Sequence, residues 1–210
     1  MLAWIASAPV FTDISGIQLF GTNSFHTLWE AMCSDVFDNQ YKKPLTSLGI
    51  ELKPDFNESA MTLQDLIKKP HWQATNCQGV DAEKTLRPDY VSVLKNENGG
   101  HSHFVIMDAK YYNIELDANH VSGQPGVEDV CKQYLYQLSY DKFIRDHELT
   151  PINVFLSPSD ADPEDDNTGK VIGKATMPIF ACLPNDYSLE AIEVVKLSAR
   201  KVMSHYIAHA

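Results

Sequence analysis

Two β-rich segments separated by a short turn cluster restrict the fold more than any other feature of this chain. Tyr90–Leu94 is rich in residues that favour strands, and residues 96–100 read Asn-Glu-Asn-Gly-Gly, a cluster typical of turns. Phe104–Met107 is a continuous apolar run, which is typical of a strand buried at the centre of a sheet. The sequence therefore predicts a strand, a turn and a central strand over residues 90–107.

Apolar residues at helical spacing predict helices on both sides of this hairpin. A first helix begins at Asn23–Ser24, a second runs from about Val127 to Arg145, and a closing helix spans about 188–207. A short helix at Met61–Lys68 and strands at Ile152–Leu156 and Thr176–Leu183 complete the pattern. This order predicts a mixed α/β fold in one domain over residues 1–210, with its core at about 20–183.

Composition restricts the partners and the compartment. The chain has 210 residues and a net charge of −11, which argues against strong independent binding to nucleic acid. Part of the acidic excess falls in a predicted solvated loop at about 157–170. The four cysteines are scattered without a C-x-x-C pair, which predicts free thiols in the reducing cytoplasm. The sequence contains no run of about 18 apolar residues, so no membrane span is predicted.

Two carboxylates flank the predicted hairpin. Asp89 precedes the first strand and Asp108 follows the second, and a turn centred between Asn98 and Gly99 places them opposite each other. In a regular antiparallel ladder, opposite residues lie about 5 Å apart. Lys110 is two residues beyond Asp108, so both side chains point to the same face. The sequence predicts two carboxylates and an ammonium at one end of a sheet.

This combination suits phosphodiester hydrolysis. Two carboxylates at this short distance repel each other. Mg²⁺ relieves the repulsion and leaves coordination positions for water and substrate phosphate. A lysine beside metal-bound water can orient it or assist its deprotonation. The competing interpretation is a turn cap and a solvated strand end, because a lone acidic-x-Lys motif is common and also occurs at Glu51-Leu52-Lys53.

Polar side chains on the two large helices extend the predicted site. Glu30 lies at the edge of the apolar stripe of the first helix, where it can reach the end of a sheet. The second helix has a polar face opposite its apolar stripe, and this face suggests a lined cleft. The face is formed by Gln133, Tyr136, Gln137 and Tyr140. The alternatives are a solvated glutamate and an exposed or interface surface.

These residues resemble the PD-(D/E)XK nucleases, and in detail the LlaJI-type restriction endonucleases, with the McrC family as a more distant relative. The resemblance covers about residues 20–145. Its segments are Phe20–Glu30, Arg87-Pro88-Asp89-Tyr90, Met107-Asp108-Ala109-Lys110-Tyr111-Tyr112 and Lys132-Gln133-Tyr134-Leu135-Tyr136.

The resemblance implies an αβββαβ core, with a mixed central sheet flanked by helices, and cleavage of double-stranded DNA that depends on Mg²⁺, with Mn²⁺ as a substitute. It implies metal ligation by Asp89, Asp108 and the Ala109 carbonyl, and a role for Lys110 in positioning or activating water. Glu30 would support the metal or its water, and Gln133 would line the site. The implied lining of the DNA cleft is Tyr112, Tyr136, Gln137 and Tyr140.

The leading interpretation is the catalytic part of a type II-like restriction system. The alternatives are a repair-type nuclease of the same superfamily and an inactive nuclease fold retained as a scaffold. No module for base readout is evident, so target recognition is expected in a missing domain or another subunit. The relatives also imply an AAA+ GTPase partner. This chain itself has no phosphate-binding G-x-x-x-x-G-K-[ST] loop, so it is not expected to bind or hydrolyse GTP. A homodimer is also compatible with the sequence.

Overall fold

A computed structural model describes residues 10–12, 18–20, 24–58, 60–96, 101–160, 169–182 and 189–209. Its helices are α1 (Phe25–Val36), α2 (Leu63–Leu66), α3 (Val127–Ser139), α4 (Asp141–Asp146) and α5 (Ala199–His209). Within these ranges no helix is long and apolar enough to cross a membrane.

The strands form one large sheet and three short hairpins. In chain order they are β1 (Val10–Thr12), β2 (Gln18–Phe20), β3 (His71–Trp72), β4 (Val80–Asp81), β5 (Tyr90–Leu94), β6 (His103–Ala109), β7 (Glu115–Leu116), β8 (Val121–Ser122), β9 (Thr150–Ser159), β10 (Gly169–Ala175) and β11 (Ile192–Ser198). The large sheet has the order β10-β11-β9-β6-β5, and the pairs β1–β2, β3–β4 and β7–β8 stand apart. The described chain is thus a mixed α/β fold built on a five-stranded mixed sheet.

The predicted hairpin register is confirmed. Strand β5 pairs antiparallel with β6, with Tyr90 opposite Met107 and Leu94 opposite His103. The next pair in this register is Asp89 and Asp108. Strand β6 then pairs with β9 in parallel, which fits the need for a crossover through α3 and α4. The central position predicted for residues 104–107 is confirmed.

Two apolar layers cover the sheet. On one face, side chains of β5 and β6 pack with α3, α4 and the segment after α1; its members include Val91, Phe104, Ile106, Tyr140 and Phe143. On the other face, α1 and α5 pack against the alternate residues, including Trp29, Met32, Val105, Met107 and Val202. Asp108 follows the alternation of Phe104 and Ile106, so it belongs to the α3 side.

The C-terminal predictions need correction. The closing helix predicted over about 188–207 begins only at Ala199, because Ile192–Ser198 pairs in parallel with β9. The strand predicted over Thr176–Leu183 is instead a 3₁₀ helix at Pro178–Cys182. The predicted acidic loop is shorter at both ends, since β9 continues to Ser159 and β10 begins at Gly169. Residues 161–168, which hold most of its acidic residues, lie outside the described ranges.

Two further details differ from the prediction. The second long helix is interrupted at Tyr140, which gives α3 and α4. Among the described residues between α1 and α3, only β5 and β6 join the large sheet, whereas the implied αβββαβ pattern has three strands there. The fold is compatible with that pattern in the remaining helix and strand order.

Candidate active site

Asp89 and Asp108 meet at the open end of the β5–β6 hairpin. Asp108 lies in β6 and is 5% exposed. Asp89 lies just before β5, and its Oδ2 accepts a hydrogen bond from the Ala109 N–H at 3.0 Å. The Asp89 side chain thus takes the place of a backbone acceptor beyond the last paired residues. This contact holds its carboxylate beside the backbone that carries Asp108.

The segment after α1 fixes the backbone at Asp89. The Asn39 side chain donates from Nδ2 to the Asp89 carbonyl at 2.6 Å, and its Oδ1 accepts from the Val91 N–H at 3.2 Å. These two bonds clamp the residues on either side of Tyr90. Asn39 was not identified from the sequence, because a polar residue after a helix has many ordinary roles.

Negative charge accumulates around Asp89. Burial, the charge of Asp108 and the charge of Glu30 raise the pKa of Asp89 to about 7, against the lowering effects of the Ala109 N–H and Lys110. Burial, followed by the charges of Asp89 and Glu30, raises the pKa of the Cys33 thiol on α1. The predicted convergence of Asp89, Asp108 and Glu30 therefore exists as an electrostatic neighbourhood that favours a bound cation or proton.

Lys110 lies between two carboxylates. Its Nζ is 2.6 Å from Asp108 Oδ2 and 2.8 Å from Asp129 Oδ1, and its side chain is only 15% exposed. Although burial acts in the opposite direction, the charges and hydrogen bonds of these two carboxylates raise the pKa of Lys110. The lysine is therefore held as an ammonium ion at the end of β6.

Asp129 is a second site residue that the sequence did not reveal. It lies in the first turn of α3, where an acidic residue ordinarily complements the helix dipole. That role explains an exposed residue, whereas the Asp129 side chain is only 17% exposed. Only the folded position of α3 against β6 shows that Asp129 reaches Lys110.

Glu30 occupies the edge of the site as predicted from its place on α1. It is half-buried and lines two neighbouring clefts. One cleft, of about 630 Å³, is bordered by Asn39, Arg87 and Asp89. The other, of about 580 Å³, is bordered by Ala109, Lys110, Tyr111 and Tyr112. Tyr112 is 43% exposed there, so it is available to a ligand.

The polar face of α3 lies in the protein interior rather than on a cleft. Gln133, Tyr136, Gln137 and Tyr140 are each 5% exposed or less. Gln133 Nε2 donates to the Ile106 carbonyl at 2.9 Å and to Asn153 Oδ1 at 3.3 Å, and Asn153 Nδ2 donates to Gln137 Oε1. The predicted lining of a DNA cleft by Tyr136, Gln137 and Tyr140 does not match this burial. Gln133 Nε2 and Gln137 Oε1 can face the sheet because they have hydrogen-bond partners, whereas Gln133 Oε1 has none among the described residues.

A divalent cation such as Mg²⁺ needs oxygen ligands, and the site offers carboxylates. Among the described residues, no group of three or more His, Cys, Asp or Glu side chains is placed to hold a metal. Mg²⁺ is commonly bound through only one or two carboxylates, with waters and substrate phosphate completing its octahedron. The pair Asp89 and Asp108 matches this donor set, and the raised pKa of Asp89 shows that its charge is not fully compensated.

Comparisons with known proteins match these residues to a restriction system. A family model described as LlaJI restriction endonuclease matches residues 52–200, a range that includes Asp89, Asp108, Lys110 and Asp129. The chain is similar to "Type II restriction enzyme BsuMI component YdjA" of Bacillus subtilis (strain 168), with 32% identity over 200 residues. That match covers 94% of this chain but 35% of the relative, so the chain spans about a third of its length. No solved structure matches the chain.

Proposed function

The chain belongs to the LlaJI restriction endonuclease family, and we propose that it is the Mg²⁺-dependent catalytic domain that hydrolyses phosphodiester bonds of double-stranded DNA. The observation that carries the proposal is the convergence of Asp89, Asp108 and Lys110 at one end of the β5–β6 hairpin. We further propose that the five-stranded sheet and its flanking helices are a PD-(D/E)XK core.

Asp89 and Asp108 would hold the metal, and Glu30 would support it or its water from α1. The two aspartates are brought together by the ladder register and by the Ala109 N–H, so the positions of both carboxylates are set by backbone geometry. Bound there, Mg²⁺ would polarise a phosphate oxygen and lower the pKa of a coordinated water. The Ala109 carbonyl remains the proposed third protein ligand.

Lys110 acts in this proposal as a fixed positive charge. The Lys110 ammonium makes two short contacts to carboxylate oxygens. Its positive charge would orient water and stabilise developing negative charge. Asp129 positions it: if Asp108 turns to a metal, Asp129 keeps the half-buried ammonium paired. An unpaired buried charge would be strongly destabilising, which gives Asp129 a physical reason to be there.

Target recognition belongs to other parts of the system in this proposal. The relative is named as a component of a type II restriction enzyme, and this chain covers only part of its length. We propose that a recognition domain in a longer chain, or a separate subunit, supplies base readout. An AAA+ GTPase subunit and a homodimeric arrangement of nuclease domains are further proposed partners, in the cytoplasm.

A plasmid-nicking assay tests the proposal. Supercoiled DNA is incubated with the chain and its companion subunits in Mg²⁺, in Mn²⁺ and in EDTA, beside an Asp108→Ala preparation. We expect nicked and linear products in Mg²⁺ and Mn²⁺ and none in EDTA or with Asp108→Ala. Cleavage that persists in EDTA contradicts the metal mechanism. Intact DNA in every arm, with a correctly assembled complex, favours the inactive scaffold.

A further inference from the structure

A basic cleft lies next to the candidate active site. It has a volume of about 790 Å³ and is bordered by five basic side chains, Lys42, Lys68, Lys69, Lys84 and Arg87. The whole chain has only 17 lysines and arginines and a net charge of −11. Three acidic residues also border this cleft, Asp65, Asp81 and Glu83, so its lining carries a net positive charge on an acidic protein.

The basic groups of this cleft are available to a ligand. All five are exposed, and within the described ranges none of them forms an ion pair with a carboxylate. Two of the acidic residues are already engaged locally. Asp65 Oδ2 accepts hydrogen bonds from the Thr62 N–H and hydroxyl, and Asp81 pairs with His71 at 2.8 Å. These contacts orient the two carboxylates without cancelling their charge, and the five basic side chains of the cleft still outnumber its three acidic ones.

The basic cleft adjoins the cleft that is bordered by Glu30 and by the candidate metal ligand Asp89. Tyr41, Lys42 and Arg87 border both clefts. Glu30 and Asp89 border the neighbouring cleft of about 630 Å³. Arg87 is two residues before Asp89, and the Arg87 carbonyl accepts a hydrogen bond from the Tyr136 hydroxyl at 2.9 Å. This bond anchors the backbone that connects Arg87 to Asp89.

We infer that the basic cleft binds the phosphate backbone of double-stranded DNA and directs it to Asp89 and Asp108. The inference rests on the proposed nuclease function and adds the surface that the substrate occupies. Lysine and arginine contacts to phosphate fix the orientation of a protein on DNA without reading its sequence. In an acidic chain, repulsion by the remaining surface would leave this cleft as the favoured point of approach.

Charge-removing variants with a matched control test the inference. The test variant is Lys68→Gln combined with Lys69→Gln, which leaves the Lys68 carbonyl free to accept its hydrogen bond from Thr85. The control is Lys170→Gln combined with Lys174→Gln, two exposed lysines on β10, the edge strand opposite β5. Both variants change the net charge equally. Binding of a labelled 20-base-pair duplex is followed by fluorescence anisotropy in EDTA, from 20 to 200 mM salt.

We expect weak wild-type binding, with Kd at or above ~10⁻⁶ M near physiological salt. The test variant should bind about tenfold more weakly at 50 mM salt, and the slope of log K against log salt should fall by roughly 1 for each lost phosphate contact. The control should stay within about twofold of the wild type, as expected when no phosphate contact is lost.

Several results would overturn the inference. These are equal losses in both variants, no loss in the test variant, no wild-type binding at 20 mM salt, or stronger binding to a double-stranded RNA of the same length. Because the titration is done in EDTA, its outcome is independent of the metal site. Intact DNA binding through this cleft by a complex that never cleaves would instead contradict the proposed function alone.

Discussion

The two faces of the central sheet are packed in different ways. The face under α1 and α5 is filled by apolar side chains such as Trp29, Met107 and Val202. The face under α3 also has an apolar layer, but amide groups of Gln133, Gln137 and Asn153 are hydrogen-bonded inside it. The charged residues Asp108, Lys110 and Asp129 lie at the end of this second face.

This difference shows how directional contacts can position a site. Apolar packing tolerates small shifts, whereas hydrogen bonds to a strand carbonyl fix the register of a helix against a sheet. Gln133 bonds to the Ile106 carbonyl, two residues before Asp108, and lies one helical turn after Asp129. The polar contacts thus hold the first turn of α3 where Asp129 reaches Lys110. The face under α1 and α5 also has a directional contact, from the Tyr90 hydroxyl to the Phe37 carbonyl at 2.7 Å.

Cleavage should depend strongly on Lys110 but not on Met107, which lies three residues earlier on the opposite face of the sheet. Lys110→Ala should lower the cleavage rate by roughly 10²–10³-fold, the usual cost of removing one positioned donor that stabilises developing negative charge. Metal affinity should stay equal or rise slightly, because a cation beside the metal is removed. Steady-state cleavage and metal titration measure the two effects. Met107→Leu, on the opposite face, should leave cleavage unchanged; equal rates for Lys110→Ala and wild type would remove the lysine from the mechanism.

The second expected effect is a pH dependence of stability in the metal-free protein. Asp89 has a pKa of about 7 when folded and about 4 when unfolded, so the folded state binds more protons between these values. Stability should therefore fall as pH rises from about 4 to about 7, by up to about 1.4 kcal/mol per pH unit, and then level off. Denaturant unfolding in EDTA at several pH values measures it.

Asp89→Asn should lack this component, so its stability relative to the wild type should increase as pH rises. The matched control is Glu51→Gln at an exposed position, which should follow the wild-type curve. Parallel curves for Asp89→Asn and wild type would mean that neither burial nor the charges of Asp108 and Glu30 raise the pKa of Asp89.

The third effect tests the polar contacts of α3. Gln133→Leu removes the donor to the Ile106 carbonyl in a fully buried position, and we expect a loss of roughly 1–3 kcal/mol in the free energy of unfolding. Metal affinity should be retained, because Gln133 contacts backbone and Asn153 rather than the carboxylates. Calorimetric unfolding and metal titration check both points. Unchanged stability with lost cleavage would support the expectation that Gln133 lines the site.

The smallest effect concerns Asp129. Asp129→Asn weakens one of two partners of the Lys110 ammonium, and we expect about a tenfold loss of cleavage, in line with the ~1–2 kcal/mol of a charge-assisted hydrogen bond. Asp129→Glu should restore part of the rate, since it keeps the charge. Glu128→Gln, one residue earlier in the same turn, is the matched control for the helix dipole. A loss shared by Glu128→Gln would assign the effect to the dipole.

The sequence predicted the β5–β6 region well because a turn cluster and two short strands determine a register by themselves. Tyr90 opposite Met107 follows from the position of the turn, and the meeting of Asp89 and Asp108 follows from that register. The edge position of Glu30 on α1 followed from helical periodicity. All of these inferences needed only local patterns.

Other parts required knowledge of the tertiary structure. Ile192 and Val195 fit a helical spacing, but parallel pairing with β9 places them in a strand. Periodicity assigned the polar side of α3 to a cleft, whereas Gln133 and Gln137 are buried, with Gln133 Nε2 bonded to the Ile106 carbonyl of β6 and Gln137 Oε1 bonded to Asn153 of β9. The pairing of Asp129 with Lys110 depends on where α3 packs, which no local pattern shows.

A Mn²⁺ titration by calorimetry of the wild type and Asp108→Ala tests whether the end of the β5–β6 hairpin is a two-carboxylate metal site. We predict metal binding by the wild type, retained by the Glu51→Gln control, and its loss in Asp108→Ala while the protein remains folded by circular dichroism. Equal binding by Asp108→Ala and wild type, or no binding by the wild type, would contradict the account.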